Sequence, residues 1–187
     1  MTTLYIKNMV CDRCKKVIKD ELMGIGVEVI SIELGKIEIK NSTTANRTKI
    51  SQIVTANGFE LIEDKELLMV ERIKLYILSL VEQLPIQRTE KLSVLLAREL
   101  HKDYSGLSKL FSRNEHITVE KFFLRLKLEK VKELVQENKY SFSEIAYLLD
   151  YANSNHLSKQ FKDATGLSMT EYKKSSQWNR KPLDKII

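Results

Sequence analysis

Two similar stretches of sequence decide the fold of this chain. The first is Leu96-Ala97 followed by Leu107-Ser108-Lys109-Leu110-Phe111, and the second is Ile145-Ala146 followed by Leu157-Ser158-Lys159-Gln160-Phe161. About fifteen residues separate the Ala from the Phe in each stretch. A small residue lets a second helix cross the first closely, and the late Leu and Phe anchor that second helix in the core. We interpret the two stretches as an internal repeat of helix-turn-helix motifs.

Polar side chains occupy the outward positions of the second helix in each copy. This is the pattern of a helix that enters the DNA major groove. Spacing alone leaves open a helical bundle whose second helices merely show a solvated face. The polar positions are Ser105, Ser108, Lys109 and Ser112 in the first copy and Ser154, Asn155, Ser158 and Lys159 in the second.

Helical periodicity extends over the rest of the second part of the chain. Apolar residues at helical spacing predict helices over 91–100, 108–113, 119–136, 142–149, 154–162 and 170–174. A further amphipathic helix is predicted over 65–84, and Pro85 closes it. That helix could be a connector, a dimer-forming helix or a part of the next domain's core, and the three alternatives stay open.

The first 64 residues show a different pattern. Alternating residues predict strands over 3–7, 27–33, 36–40 and 59–62, with a hairpin turn at Leu34-Gly35. Helical spacing follows Cys14 and returns over 45–56. The order is βαββαβ, the ferredoxin-like split βαβ. The predicted fold class is therefore α+β, with a ferredoxin-like domain at 1–64, a linker helix at 65–85 and an all-α domain with two helix-turn-helix motifs at 86–187.

Charge is distributed unevenly over the 187 residues. The net charge of +6 comes from 31 Lys and Arg against 25 Asp and Glu. Residues 1–64 carry nine of each sign, so the remainder carries 22 basic and 16 acidic side chains. A basic module is attracted to phosphate backbones. No apolar run reaches the ~18 residues of a membrane span, and no secretory signal is visible, so we expect a cytoplasmic protein.

The two cysteines of the chain lie together in Met9-Val10-Cys11-Asp12-Arg13-Cys14. Two thiols cannot form a disulfide framework or a four-thiolate zinc site. A thioredoxin-like redox site relies on a cis-Pro, and residues 1–64 contain no Pro, no His and no other Cys. What remains is an open two-thiolate site for a soft ion such as Cu(I), or an inert pair in a loop. Neither alternative requires a cofactor for folding.

Residues 91–174 resemble the DNA-binding domain of AraC/XylS-type transcription regulators. The resemblance rests on Ser143-Glu144-Ile145-Ala146, on Leu157-Ser158-Lys159-Gln160-Phe161-Lys162, on Gly166 with Tyr172, and on the joining stretch Arg125-Leu126-Lys127-Leu128-Glu129-Lys130. It implies that two recognition helices enter successive major grooves of double-stranded DNA. Carried over by position, the expected DNA-binding residues are Ser105, Ser108, Lys109, Ser154, Asn155 and Lys159, and the expected phosphate-backbone candidates are Arg113, Lys121, Lys127 and Lys162.

Three positions depart from the pattern of that family. The turn Gly of the second motif is Asp150, the late Pro is Met169, and the Gly before the joining helix is His116. A residue other than Gly costs energy where φ is positive. The departures therefore bear on turn geometry rather than on the DNA-facing groups.

Residues 1–64 resemble heavy-metal-associated domains, the module of copper chaperones and P-type ATPases. The resemblance rests on Met9–Cys14, on Gly58-Phe59 before the last strand and on the βαββαβ order, with Asn8 in place of the usual Gly. It implies that Cys11 and Cys14 bind the metal and that Met9 is a buried support.

The two resemblances together predict a transcription regulator, and not an enzyme, that responds to a soft metal ion or to the thiol state of Cys11 and Cys14. Its expected partners are double-stranded DNA and the transcription machinery. The alternative is a constitutive regulator whose first domain binds a partner, either a copper chaperone or a second copy of itself. DNA-repair methyltransferase chemistry requires four zinc-bound cysteines, so it does not fit this chain.

Overall fold

The computed structural model describes residues 1–40, 44–86, 90–175, 179–181 and 186. These residues form two compact units, Met1–Leu75 and Tyr76–Ile186. The elements in chain order are β1 (Thr2–Lys7), α1 (Asp12–Gly24), β2 (Val29–Glu33), β3 (Lys36–Ile39), α2 (Thr44–Ala56), β4 (Glu60–Ile62), α3 (Lys65–Glu82), α4 (Leu92–Leu100), α5 (Tyr104–Glu115), α6 (Val119–Glu137), α7 (Phe142–Leu148), α8 (Ser154–Thr165) and α9 (Met169–Lys174).

The first unit is built on a small antiparallel sheet with the strand order β2-β3-β1-β4. Leu4 of β1 lies opposite Ile37 of β3, and Ile6 lies opposite Leu61 of β4. Because side chains alternate along a strand, Leu4 and Ile6 point to the same face, where α1 and α2 cover them. Its fully buried residues include Ile6, Met9, Ile18, Leu22, Ile37, Ile39, Ile50 and Val54.

The β2–β3 hairpin turns at Leu34-Gly35, as the sequence predicts. Gly35 has φ +71, a conformation that L side chains rarely adopt. A Cβ atom on Gly35 would lie 2.3 Å from Cδ1 of Leu75 in α3. The first half of α3 therefore packs directly on this turn and belongs to the first unit.

Helix α3 occupies most of the segment predicted as a linker. The division between the two units falls within it, between Leu75 and Tyr76. Val70 and Ile73 are buried before the division, and Ile77 and Leu78 are buried after it. The helix thus supplies core residues along its length.

The second unit is helical, and its two halves repeat one arrangement. Phe111 of α5 packs on Phe122 of α6 with the ring centroids 5.4 Å apart, and fifty residues later Phe161 of α8 packs on Tyr172 of α9 at 5.3 Å. The second helix of each pair begins at a hydroxyl cap, which Thr118 provides for α6 and Ser168 for α9. The internal repeat predicted from the sequence is therefore present in the fold.

One helix is longer than the sequence predicts. Helix α5 runs over Tyr104–Glu115, whereas periodicity marks only 108–113 as helical. The carboxylate of Asp103 accepts the backbone N–H of Gly106 at 3.1 Å and caps the first turn. The sequence does not predict this first turn because it contains Gly106, and glycine is a poor helix former.

We expect Gly35→Ala to lower the free energy of unfolding of the first unit by about 1–3 kcal/mol, because it combines a positive φ with a clash against Leu75. Chemical denaturation followed by circular dichroism measures the change. Gly58→Ala is the matched control, since Gly58 also has a positive φ, +79, but a Cβ there meets no atom within 4 Å. Equal stabilities of the two variants would contradict the close packing of α3 on the turn.

Candidate nucleic-acid interface

Two short amphipathic helices, α5 and α8, carry the predicted DNA-binding residues. A side chain caps the start of each helix: Asp103 does so for α5, and Asn153 accepts the backbone N–H of His156 at 2.8 Å for α8. Both helices end on a residue in the left-handed conformation, His116 at φ 57 and Gly166 at φ 77. These caps satisfy terminal backbone groups, so the two helices begin and end at fixed residues.

The inner face of each helix is anchored in the core. Leu107 and Phe111 of α5 are buried, as are Leu157 and Phe161 of α8. Their burial leaves the opposite face of each helix to solvent. The residues that pack inward therefore determine which side chains each helix exposes to solvent.

Four of the predicted DNA-binding side chains occupy equivalent, exposed positions. Ser105 and Lys109 lie on the outer face of α5, and Asn155 and Lys159 lie fifty residues later on the outer face of α8. A Lys donates to guanine, a bidentate Asn fits adenine, and a Ser can contact either kind of base. The two faces thus present the same type of hydrogen-bonding chemistry.

Two predicted DNA-binding residues, Ser108 and Ser154, are half-buried. The Ser108 hydroxyl hydrogen-bonds the phenol oxygen of Tyr104. Burial, followed by the hydrogen bond to Glu120, raises the pKa of Tyr104 to about 12. The hydrogen bond from Tyr104 in turn holds the pKa of Glu120 below its ordinary value. Ser108 thus joins a network that ties the start of α5 to the start of α6.

Three of the four phosphate-backbone candidates are exposed. Arg113 lies in the last turn of α5, Lys121 in the first turn of α6, and Lys162 in the last turn of α8. Their positions at helix ends are suited to contacts with a phosphate backbone.

The fourth candidate, Lys127, is placed differently from the prediction. Its side chain is only 6% exposed, and its Nζ lies 3.9 Å from the centroid of the Tyr151 ring. The same Nζ donates a hydrogen bond to the carbonyl oxygen of Asp150 at 3.3 Å. Lys127 therefore binds the turn of the second motif, and its burial argues against the predicted phosphate contact. Lys127 lies four residues after Phe123 and four before Val131, on the buried stripe of α6. That spacing is the sequence signal from which its burial could have been predicted.

Asp150 stands where the family resemblance predicts a turn Gly. Its φ is +54, in the left-handed region that favours glycine. His116, the second departure, has φ +57. The third, Met169, is buried at the start of α9, and its sulfur accepts a weak contact from the Ser158 hydroxyl at 3.8 Å.

The two thiols lie together at the start of α1. Cys11 is the exposed residue before the helix, and Cys14 is half-buried in its first turn. Their Sγ atoms are 2.9 Å apart. Burial, followed by the hydrogen bond with Cys11, raises the pKa of Cys14 and offsets the lowering expected at a helix N-terminus. Met9 beside them is fully buried.

A two-coordinate soft ion fits this donor set better than zinc does. Within the part of the chain that the structure describes, no group of three or more Cys, His, Asp or Glu side chains could hold a metal. A structural zinc site needs four ligands, whereas thiolates alone suit Cu(I). Two thiols alone are compatible with a soft cation, with thiol oxidation or with an inert pair.

Comparison with known proteins bears on the second unit. Residues 96–175 match the family model of a helix-turn-helix domain. The match begins at Leu96 in α4 and reaches Ser175 beyond α9, so it contains both repeats.

The Msm operon regulatory protein of Streptococcus mutans serotype c (strain ATCC 700610 / UA159) is a relative of this segment. It is 26% identical over 84 residues, which are 45% of this chain and 30% of that protein. The chain therefore spans less than a third of the length of that relative. The name is that of a regulator, which agrees with the prediction that this chain is not an enzyme.

Solved structures are also similar. The C-terminal domain of AraT, a response regulator from Geobacillus stearothermophilus, has a TM-score of 0.49 and 23% identity, covering 57% of this chain and 84% of that one. A DNA-binding transcriptional dual regulator from Escherichia coli K-12 has a TM-score of 0.48 and 20% identity, covering 57% of this chain and 89% of that one.

Among the helices that the structure describes, none is long and apolar enough to cross a membrane.

We expect Lys127→Ala to destabilise the second unit by about 2–4 kcal/mol, because it removes a desolvated cation–π contact, a charged hydrogen bond and buried methylenes. Thermal and chemical unfolding measure the loss. Lys121→Ala in the same helix removes an exposed charge and should change stability by no more than about 0.5 kcal/mol. Equal losses of stability in the two variants would contradict the burial of the Lys127 side chain.

Proposed function

We propose that this protein is an AraC-type transcription regulator that binds double-stranded DNA through α5 and α8. The observation that carries the proposal is the repeated arrangement of the two helices, each anchored by the same aromatic contact and each exposing polar residues at equivalent positions. The basic excess after residue 64 provides attraction to phosphates.

The joining helix supports simultaneous binding by both motifs. Helix α6 has 19 residues, which corresponds to a length of about 28 Å. Successive major grooves on one face of DNA are about 34 Å apart. A helix of this length between α5 and α8 is of the right order to set them in neighbouring grooves of one site.

Within this proposal, Lys109, Asn155 and Lys159 read base edges, while Arg113, Lys121 and Lys162 contact phosphates. Ser105 and Ser154 contribute from the first turns of α5 and α8. The transcription machinery is the second proposed partner, and the cytoplasm is the proposed place of action.

For the first unit we propose a heavy-metal-associated fold of the ferredoxin-like type. The observed strand order and the position of the thiols at the start of α1 support it. Cys11 and Cys14 would hold Cu(I) or another soft cation between their sulfurs, or would change thiol state, and either event would alter DNA binding. Coupling of this kind requires two states of the chain with different affinities for both ligands.

The alternative for the first unit is protein interaction without metal sensing, with a copper chaperone or a second copy of this chain as the partner. DNA affinity would then be independent of the thiols. Within the described residues no third Cys, His, Asp or Glu joins the two thiols in a group that could hold a metal, which leaves this alternative open.

We expect Lys159→Ala to weaken binding to a selected DNA site by about 1–3 kcal/mol and binding to mixed-sequence DNA by much less. The site is first selected from a random duplex pool with the full chain, and affinities are measured by fluorescence anisotropy. Lys49→Ala, an exposed Lys of the first unit, is the charge-matched control. A loss that is equal on every sequence would make Lys159 a phosphate contact, and no loss would remove α8 from the interface.

We expect Cu(I) to bind the wild-type chain with a stoichiometry of one and to change its affinity for the selected site. Replacing both thiols, Cys11→Ser with Cys14→Ser, should abolish both effects while leaving DNA binding itself intact. The titration uses a chromophoric Cu(I) competitor, with a parallel metal-free arm under reducing and oxidising conditions. If Cu(I) binds but DNA affinity is constant, and the oxidising arm is also without effect, the interaction-module alternative holds.

A further inference from the structure

A pair of opposite charges is buried in the first half of α3. Glu71 and Lys74 are 3% and 2% exposed, and the Lys74 Nζ lies 3.9 Å from the Glu71 Oε2. Removing such groups from water costs several kcal/mol per ion, and an apolar pair of similar size is often as stable. The pair therefore calls for a function other than stability.

Glu71 makes a second contact that suggests this function. Its Oε1 accepts the backbone N–H of Asn8 at 3.2 Å, across 63 residues of sequence. Asn8 has φ +68 and is the first residue after β1. An Asn in the left-handed region is strained relative to Gly, so a hydrogen bond from outside the loop helps to hold it there.

Asn8 begins the loop of residues 8–11, here called the thiol loop, which carries Cys11 and leads into the first turn of α1, where Cys14 lies. Met9 and Val10 are buried, and Cys11 is exposed. At the far end, the backbone carbonyl of Cys11 accepts the N–H of Lys15 at 3.2 Å. The loop is thus fixed at its start by Glu71, in its middle by burial and at its end by α1.

Leu75 provides a second contact between α3 and the sheet, at the turn of the β2–β3 hairpin. It lies one helical turn after Glu71 and packs on the Gly35 turn. The Gly35 carbonyl in turn accepts the N–H of Ile6 at 2.9 Å. The same face of α3 therefore contacts the thiol loop and the neighbouring hairpin.

We propose that Glu71 is a positioning residue for the thiol loop and that it makes α3 part of the response to the state of Cys11 and Cys14. A change of backbone conformation in the loop alters the Asn8–Glu71 hydrogen bond, and Glu71 belongs to the helix whose later residues, Tyr76–Glu82, are in the second unit. The response half of this statement rests on the proposed thiol or metal function. The positioning half stands without it.

The test compares two double variants that differ only in the acceptor. Glu71→Met/Lys74→Met removes both buried charges and the acceptor for Asn8, whereas Glu71→Gln/Lys74→Met removes both charges but keeps a carbonyl oxygen. We expect the Asn8 amide to exchange its hydrogen about tenfold faster in the first variant than in the second, the effect of losing one hydrogen bond to a side chain. Glu28→Met/Lys40→Met, which removes an exposed ion pair of the same unit, is the control.

A wild-type measurement covers the case in which either variant fails to fold. Hydrogen exchange of the α3 amides over 71–75 is followed with and without Cu(I), and in the chain carrying Cys11→Ser and Cys14→Ser. We expect exchange in α3 to shift when Cu(I) binds and to be insensitive to Cu(I) once the thiols are replaced.

The outcomes separate this proposal from the proposed function. Equal Asn8 exchange in the two double variants overturns the positioning role of Glu71, whether or not Cu(I) binds. Cu(I) binding with unchanged α3 exchange in the wild type overturns the response of α3. Absence of Cu(I) binding refutes the metal function, and if α3 exchange is also the same under reducing and oxidising conditions, the response is overturned as well. The Asn8 comparison still decides the positioning role.

Discussion

The aromatic contacts between α5 and α6 and between α8 and α9 determine which faces of α5 and α8 are buried. Phe111 against Phe122 and Phe161 against Tyr172 bury one face of α5 and of α8. Once that face is fixed, a helix of 3.6 residues per turn must present the residues two before and two after each buried Leu to solvent. Ser105, Lys109, Asn155 and Lys159 are exposed for this reason, and the core thus determines the surface that we propose to contact DNA.

Two backbone positions that commonly require glycine are occupied by Asn8 and Asp150, both in the left-handed conformation. Each is held by a charged side chain buried on a neighbouring helix. Glu71 accepts the N–H of Asn8, and Lys127 donates to the carbonyl of Asp150. A left-handed conformation costs a residue other than Gly about 1–2 kcal/mol, and a hydrogen bond to a charged group contributes about 1.5–3 kcal/mol, so the second effect can offset the first. These turns are consequently as well defined as turns with glycine, but they depend on a distant residue.

Periodicity predicted the helices of the second unit and the strands of the first, because both signals depend on which residues face a core. Lys127 lies at helical spacing from Phe123 and Val131 on the buried stripe of α6, but its charge led to the opposite prediction. The burial of Glu71 and Lys74 could not be predicted in the same way, since a charged residue in an amphipathic pattern is expected on the solvated face. Only tertiary contacts show that these charges lie inside. The start of α5 was missed for a local reason: an Asp cap compensates for a Gly in the first turn, and propensity alone gives no weight to that hydrogen bond.

Helix α3 is the element for which the sequence left three alternatives open, and its burial pattern bears on them. A connector that only spans two domains would be polar all round, or would bury one end. In α3, Val70 and Ile73 are buried in the part that belongs to the first unit, and Ile77 and Leu78 in the part that belongs to the second. A helix that contributes core residues on both sides of the division cannot be rearranged on one side without disturbing packed side chains. Helix α3 therefore contributes buried residues to both units, which is more than a connector requires.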